Sequence, residues 1–241
     1  EINPKNSFIF NSVPELKKND NDLWQHFCGV EIETKNNFFD DEMMNLMDFD
    51  CEQRNAVHFF YTLPYTKNKA LVETTWLSKM NDDSKKDYNK QIKEYIENHL
   101  NLKDYKITYQ EEGAIPLFHT SNQFEKNKIN IGTAGGMTRL STGYTFLNIQ
   151  EHCKFIRKNL ENITKVKIFE IEKKYNFLDK IFLKVISSDI SKAPQIFYYF
   201  SKNISPTTFI KFMLGEANLL EYLKVIYAMP KRIFLKCLIK L

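Results

Sequence analysis

Glu73 lies in Ala70-Leu71-Val72-Glu73-Thr74-Thr75-Trp76, a run of apolar, β-branched and aromatic residues with one carboxylate in its middle. Such a run reads as a strand. Strand side chains alternate, so Leu71, Glu73 and Thr75 share one face while Ala70, Val72 and Thr74 share the other. A carboxylic acid among apolar neighbours resists ionisation, keeps its proton near neutral pH and can act as a general acid. The plain alternative is an ordinary surface glutamate on a half-exposed strand. Glu31 and Glu33 share one side of the run His26–Thr34, and Asp48 sits in Leu46-Met47-Asp48-Phe49. Carboxylates so placed could tune an acid or stabilise a positive charge, or be a solvated face or a structural ion pair. Trp76, Phe59, Phe60 and Tyr61 lie near Glu73 in sequence, where their rings could face a cation or simply pack a core.

A second constellation is Ile129-Asn130-Ile131-Gly132-Thr133-Ala134-Gly135-Gly136-Met137, followed by Ser141-Thr142-Gly143-Tyr144. Three of the chain's seven glycines fall within five residues. Glycine permits close backbone approach and positive φ, and a helix start offers unpaired N–H groups suited to a phosphate or a flavin pyrimidine edge. A tight strand-to-helix turn would look the same.

The elements that position these residues divide the chain. Short β-rich runs, His26–Thr34, Met43–Phe49, Val57–Leu63 and Ala70–Trp76, have the spacing of an antiparallel sheet. Asp83–Leu100 carries Tyr88, Ile92, Tyr95, Ile96 and Leu100 at helical intervals, which predicts a helix packed by one side. Tyr105–Tyr109 returns to strand, Gly113–Pro116 is expected to turn the chain, and Lys128–Ile131 is a short strand. Beyond Gly143 the pattern is helical. Phe146, Ile149, Cys153, Ile156 and Leu160 form one stripe, and further helices are expected near 168–186, 193–202, 206–214 and 218–240, punctuated by Pro194, Pro206, Gly215 and Pro230. The fold class is α+β, an antiparallel sheet followed by the glycine loop and an all-helical C-terminal region.

Composition narrows the function classes. Hydrophobic residues make up 43% and aromatics 14% of 241 residues, which argues against disorder and for large apolar contact surfaces. The net charge of +4 is uneven, because Ile196–Leu241 holds seven basic residues against Glu216 and Glu221. Phe209, Phe212, Leu219, Leu223, Ile226 and Tyr227 interleave with those charges, so an anionic membrane surface is expected as partner rather than nucleic acid. No apolar stretch reaches the roughly 18 residues a spanning helix needs, so peripheral attachment is expected. Cys28, Cys51, Cys153 and Cys237 form no CxxC pair and read as buried thiols, and His26, His58, His99, His119 and His152 show no metal spacing, so no metal is assigned. The first residue is Glu1 rather than Met, and Phe8-Ile9-Phe10-Asn11-Ser12 reads like the end of a strand already in progress, as expected of a chain cut from a longer one.

Several motifs occur in an order that resembles the lycopene cyclases, flavin-dependent enzymes of carotenoid biosynthesis. Gln25-His26-Phe27-Cys28-Gly29-Val30-Glu31-Ile32-Glu33 resembles the family's Q-x-F-x-G-x-E-I-E segment, and Leu46-Met47-Asp48-Phe49 its M-D-F/W segment. Phe60-Tyr61-Thr62-Leu63-Pro64 with Leu71-Val72-Glu73-Thr74-Thr75 resembles its Y-x-L-P and L-V-E-x-T pair, and Glu111-Glu112-Gly113-Ala114-Ile115-Pro116 its E-x-G-x-I-P turn. Gly132–Met137 with Ser141–Tyr144 resembles its flavin-contacting G-x-x-G-G-x loop and S-T-G-Y helix start.

The resemblance implies a flavoprotein hydroxylase or reductase-like FAD fold in three regions: 1–128 for substrate and catalysis, 129–160 for flavin contact, and 161–241 as a membrane-associated helical part. It implies acid-catalysed cyclisation of the ψ-ends of lycopene to β-ionone rings, giving γ- or β-carotene without net redox change. Glu73 would be the acid, reduced FAD the stabiliser of the carbocation, NAD(P)H the electron donor, and the cytoplasmic face of a membrane the location. No G-x-G-x-x-G occurs in the 241 residues, so this segment by itself is expected to lack the site for the ADP half of the flavin and to be inactive. Competing readings are another FAD-dependent flavoprotein of this fold, an isoprenoid reductase or monooxygenase, and a non-enzymatic membrane-binding module.

Overall fold

A computed structural model describes residues 7–16, 22–80, 83–120, 127–163 and 169–239. The chain divides into two compact units, one of residues 20–115 and one of residues 1–19 with 116–241. These boundaries separate by contact, whereas the three-region division separates by role, so the two do not coincide.

The first unit is a five-stranded sheet in the order β3-β4-β5-β2-β6, built from β2 (Leu23–Glu33), β3 (Asn45–Asp48), β4 (Val57–Thr66), β5 (Lys69–Lys79) and β6 (Lys106–Pro116). β5 pairs antiparallel with β2 and β4, which joins it through a two-residue turn at Lys67-Asn68. Pro64, which cannot donate to a ladder, lies on β4 beyond the end of short β3, where that edge is free. Gly113–Pro116 does not turn the chain. β6 runs straight to Pro116, and the glycine is there because a Cβ on it would lie 2.6 Å from Phe27 Cζ.

The sheet has two unlike faces. Cys28, Val30, Ile32, Phe60, Ala70, Val72 and Trp76 pack with Tyr88, Ile92, Tyr95 and Ile96 of the expected helix into one buried cluster. That helix is α1 (Tyr88–Glu94) continued by a wide π-type turn, Tyr95–His99, closed by Leu100 N–H donating to the Tyr95 carbonyl at 2.9 Å. Gln91, Trp76, Thr74 and His58 share hydrogen bonds on this face. Gln91 Oε1 accepts from Trp76 Nε1 at 3.0 Å and Thr74 Oγ1 at 2.9 Å, and the His58 ring, stacked on Trp76 at 3.7 Å, hydrogen-bonds Thr74 Oγ1 and the Glu52 carbonyl. His26 is held in the same way between Tyr88 and Ser78.

The second unit begins with β1 (Ile9–Asn11) parallel to β7 (Lys128–Asn130). Its helices are α2 (Phe146–Asn159), α3 (Lys173–Ser188), α4 (Ala193–Asn203), α5 (Pro206–Leu214), α6 (Leu219–Ala228) and α7 (Lys231–Leu238). The helix expected over 218–240 breaks at Met229-Pro230, because proline cannot continue the ladder; its last residue, and the start of the helix expected from 168, lie outside the described residues. The stripe expected on α2 is not its packed side. Phe146 and Leu160 are more than half exposed, and His152, stacked on Phe169 at 5.3 Å, is the residue α2 buries. Cys153 is likewise exposed rather than buried. Among the described residues no helix is long and apolar enough to cross a membrane.

Candidate active site

Glu73 occupies the middle of the central strand, on the face opposite α1. Its partners across the ladder are Gly29 on β2 and Tyr61 on β4. Gly29 leaves room for the carboxylate, since a Cβ there would lie 3.3 Å from Glu73 Oε2 and 3.1 Å from Leu71 Cδ1. Thr75 Oγ1 donates to Oε1 at 2.8 Å. The residue is 9% exposed, and burial pushes its pKa up to about 7, with the Thr75 hydroxyl opposing and the Glu111 carboxylate adding to the rise. Acid and carboxylate therefore coexist near neutral pH, as a proton donor requires.

Gly29→Ala is expected to push this carboxylate aside and lower turnover roughly 10- to 100-fold at little cost in stability, because small misplacements of a reacting group are expensive. Steady-state rates beside melting curves check it; an unchanged rate would mean the carboxyl's position is immaterial.

The sheet sorts the other candidates. Tyr61 and Phe59 lie on Glu73's face, ring to ring at 5.1 Å, and burial followed by the charge of Glu73 pushes the Tyr61 phenol up to about 12, so it stays neutral. Trp76 and Phe60 lie on the other face and are core, stacked on His58 and, at 4.0 Å, on Tyr95. Their nearness to Glu73 in sequence is undone by the pleat.

Among the carboxylates, Glu31 shares Glu73's side of the sheet but is tied to Lys69 Nζ at 2.7 Å and accepts from Thr108 Oγ1 at 2.5 Å. Those bonds, Lys69 first, hold it below the usual carboxylate range, so it is a fixed anion rather than a proton donor. Glu33 is exposed at the end of β2, opposite Lys69 in register. Asp48 belongs to the helix face: it accepts from Tyr95 OH at 2.7 Å, and His99 Nε2 lies 3.0 Å away. Burial opposes its ionisation, but the Asp50 N–H, Tyr95, His99 and Asn45 together hold its carboxyl low. It fastens the π-type turn to the sheet edge and stands apart from Glu73.

Glu111 was not singled out by its sequence context. Gly113 packs on Phe27, which shares Glu73's face, and alternation puts half-buried Glu111 on that face too. The Tyr65 phenol, raised by burial and then by Glu31 and Glu111, marks the same neighbourhood. A carboxylate two residues before a strand glycine was the available signal, hidden by reading the segment as a turn.

The glycine-rich segment is in the second unit. Gly132–Met137 coils into one tight loop: Gly135 N–H donates to the Ile131 carbonyl at 3.1 Å and to Gly132 at 3.0 Å, Gly136 N–H to Thr133 at 3.1 Å, and Met137 N–H to Gly132 at 3.1 Å. Arg139–Tyr144 closes a second turn, with Gly143 N–H donating to the Arg139 carbonyl at 2.8 Å and Arg139 N–H to Tyr144 at 2.9 Å. The helix starts only at Phe146, so Ser141–Tyr144 is a turn rather than a helix start; positive φ at Gly136 (74°) and Gly143 (69°) excludes helical continuation through them. The loop's N–H groups at 135–137 face inward. What remains for a ligand is the half-exposed rim of Gly132, Thr133, Gly136, Ser141 and Thr142, where a Cβ on Gly132 would meet only Ile149 Cδ1, at 3.9 Å. Ala134, Gly135 and Met137 are buried beneath it, and Tyr144 is exposed. The open space at the missing Cβ of Gly132 leaves room for a flat group to lie against the rim's backbone.

The chain shares its fold with a geranylgeranyl bacteriochlorophyll reductase-like protein from Thermoplasma acidophilum, at 16% identity and a TM-score of 0.54, matching 91% of this chain and 55% of that one. A flavin-dependent halogenase from Brevundimonas sp. BAL3 aligns with 85% of the chain and 42% of its own at 10% identity and a TM-score of 0.36, and p-nitrophenol 4-monooxygenase from Pseudomonas putida DLL-E4 with 95% and 55% at 12% and 0.35. The chain thus spans about half the length of these structures. No curated protein matches it. The family model described as lycopene cyclase protein matches residues 5–236, and the chain belongs to the lycopene cyclase family.

Proposed function

We propose that the protein is a lycopene β-cyclase in which Glu73 is the general acid. The observation that carries this reading is a buried carboxyl on an apolar strand face with a pKa about 7, beside a neutral tyrosine ring. Ring closure needs a proton delivered to the terminal double bond of a ψ-end, a route for the tertiary carbocation to close on the chain, and removal of a ring proton. Protons in and out balance, and no electrons are exchanged.

Glu73 delivers the first proton from Oε2, the oxygen that Thr75 leaves unengaged. The Tyr61 ring, held neutral, offers a π face to the cation, and the anions Glu31 and Glu111 favour positive charge on this side of the sheet. Apolar Phe59, Val57 and Leu77 on the same face keep water from quenching the cation. The rim of Gly132, Thr133, Gly136, Ser141 and Thr142 would hold the flavin. When bound and kept reduced by NAD(P)H, that cofactor would supply negative charge without passing electrons on.

A C40 hydrocarbon resides in lipid, and α6 and α7 suit a membrane surface, on the cytoplasmic face. α6 turns Val225 and Ala228 inward and presents Leu219, Leu220, Leu223, Ile226 and Tyr227 outward, with Lys224, Lys231 and Arg232 beside them. Phe209 and Phe212 instead pack inside, against Phe200 and Ile204, and are no part of that surface.

Expression of the longest open reading frame containing this chain in lycopene-accumulating cells is expected to turn red pigment yellow. In vitro, lycopene in anionic vesicles should be cyclised faster than in neutral ones. Unchanged lycopene in both settings would defeat the cyclase reading, and equal rates in the two vesicle types would defeat the basic-surface reading.

A further inference from the structure

The turn Arg139–Tyr144 is fastened to α3 by one buried residue. Asp179, 2% exposed, accepts four hydrogen bonds: from Arg139 Nε at 3.1 Å, Arg139 Nη2 at 2.9 Å, Leu140 N–H at 3.0 Å and Ser141 Oγ at 2.7 Å. The Arg139 guanidinium lies 4.6 Å over the ring of Tyr175, one helical turn before Asp179, and the Tyr175 hydroxyl donates to the Gly215 carbonyl at 2.7 Å. The carbonyl of the same Arg139 closes the turn by accepting from Thr142 and Gly143. One carboxylate thus fixes both the side chain and the backbone of the segment after the glycine loop. The bidentate geometry makes the contact directional as well as strong.

We propose that Asp179 is a positioning residue for the cofactor, holding the turn Arg139–Tyr144 in the one arrangement in which Ser141 and Thr142 meet a bound flavin. The inference rests on the reading of Gly132–Tyr144 as the flavin contact. It assigns to α3 a task in cofactor binding, in a region whose sequence pattern suggests only membrane association. Nothing in it requires Asp179 to touch the flavin.

Two variants test it in the longest frame containing this chain. Asp179→Asn keeps the volume but sets an amide against Arg139. Asp179→Leu with Arg139→Met replaces the buried ion pair by apolar side chains, which preserves folding where removal of one charge would not, and deletes the acceptor for Leu140 and Ser141. Hydrogen exchange at residues 140–144 is expected to accelerate at least tenfold in both, and FAD affinity, read by quenching of flavin fluorescence, to fall at least tenfold while the melting temperature of the double variant stays near wild type. A purely structural role would lower the melting temperature and leave affinity unchanged. Unaltered exchange overturns the clamp. Faster exchange with unaltered FAD affinity overturns the cofactor role, and a wild-type protein that binds no FAD overturns the underlying reading of the loop.

Discussion

Glu73→Gln is expected to lower cyclisation by about 10²- to 10⁴-fold, the range found when a positioned general acid is removed, and at the same time to stabilise the protein at alkaline pH. The second effect follows from linkage. The folded-state pKa of Glu73 is raised from 4.5 to about 7, so its contribution to stability is complete below pH 4.5 and is lost as pH rises through 7. That loss is on the order of 3 kcal/mol at about 1.4 kcal/mol per unit. Glutamine keeps an acceptor for Thr75 and never ionises, so the variant should gain on wild type between pH 4.5 and 8.

His58 runs the other way. Burial lowers its pKa from 6.5 to about 4, so its contribution is complete above pH 6.5 and is lost as pH falls through 4. Between pH 4.5 and 6.5 the two slopes oppose each other, so wild type should gain less stability with rising pH than Glu73→Gln across the same window. Melting temperatures of both proteins from pH 4 to 8, with wild-type activity falling about tenfold per unit above pH 7 as the acid form is depleted, check the argument. Undiminished cyclisation by Glu73→Gln would remove Glu73 from the mechanism.

The placement of Glu73 was legible from alternation alone, because Leu71, Glu73 and Thr75 share a face whatever the sheet packs against. Which face α1 covers was not legible. Alternation already sets Trp76 opposite Glu73 on their shared strand and Phe60 opposite Phe59 and Tyr61 on β4, but which β4 face continues that of Glu73 could not be told without the register. Asp48 follows Met47, whose φ of 85° shifts the register between Leu46 and Asp48, an irregularity no periodicity announces. Glu111 was concealed because glycine and proline were read as turn signals, where Gly113 answers instead to the bulk of Phe27 on the next strand. Asp179 had a visible mark: with Tyr175, Phe182 and Ile186 it falls on one helical stripe, and a lone acid on an apolar stripe asks for a buried cation. Its partner Arg139, forty residues away, could be found only from coordinates.

The glycines of the loop make different demands, and a pair of substitutions separates them. A Cβ on Gly135 would lie 2.5 Å from the Asn130 carbonyl oxygen and 3.1 Å from Ile131 Cα, so β7 and the loop cannot both stay in place. Gly135→Ala should therefore cost about 1–3 kcal/mol or more, as overpacking against unyielding atoms does, and exchange should accelerate through Asn130–Met137 with or without flavin. Gly132 has open space around its missing Cβ and a φ of 57°, so Gly132→Ala should cost only about 1 kcal/mol of backbone strain. If the rim at Gly132 lies against a flavin, the added methyl group stands between them, and FAD affinity should fall well beyond what that strain explains. Melting curves and FAD titrations of both variants distinguish the two glycines: fold-limited at Gly135, ligand-limited at Gly132. Normal FAD affinity in Gly132→Ala would place the cofactor away from this rim, while a stable Gly135→Ala would mean that the coil of the loop is looser than its own hydrogen bonds require.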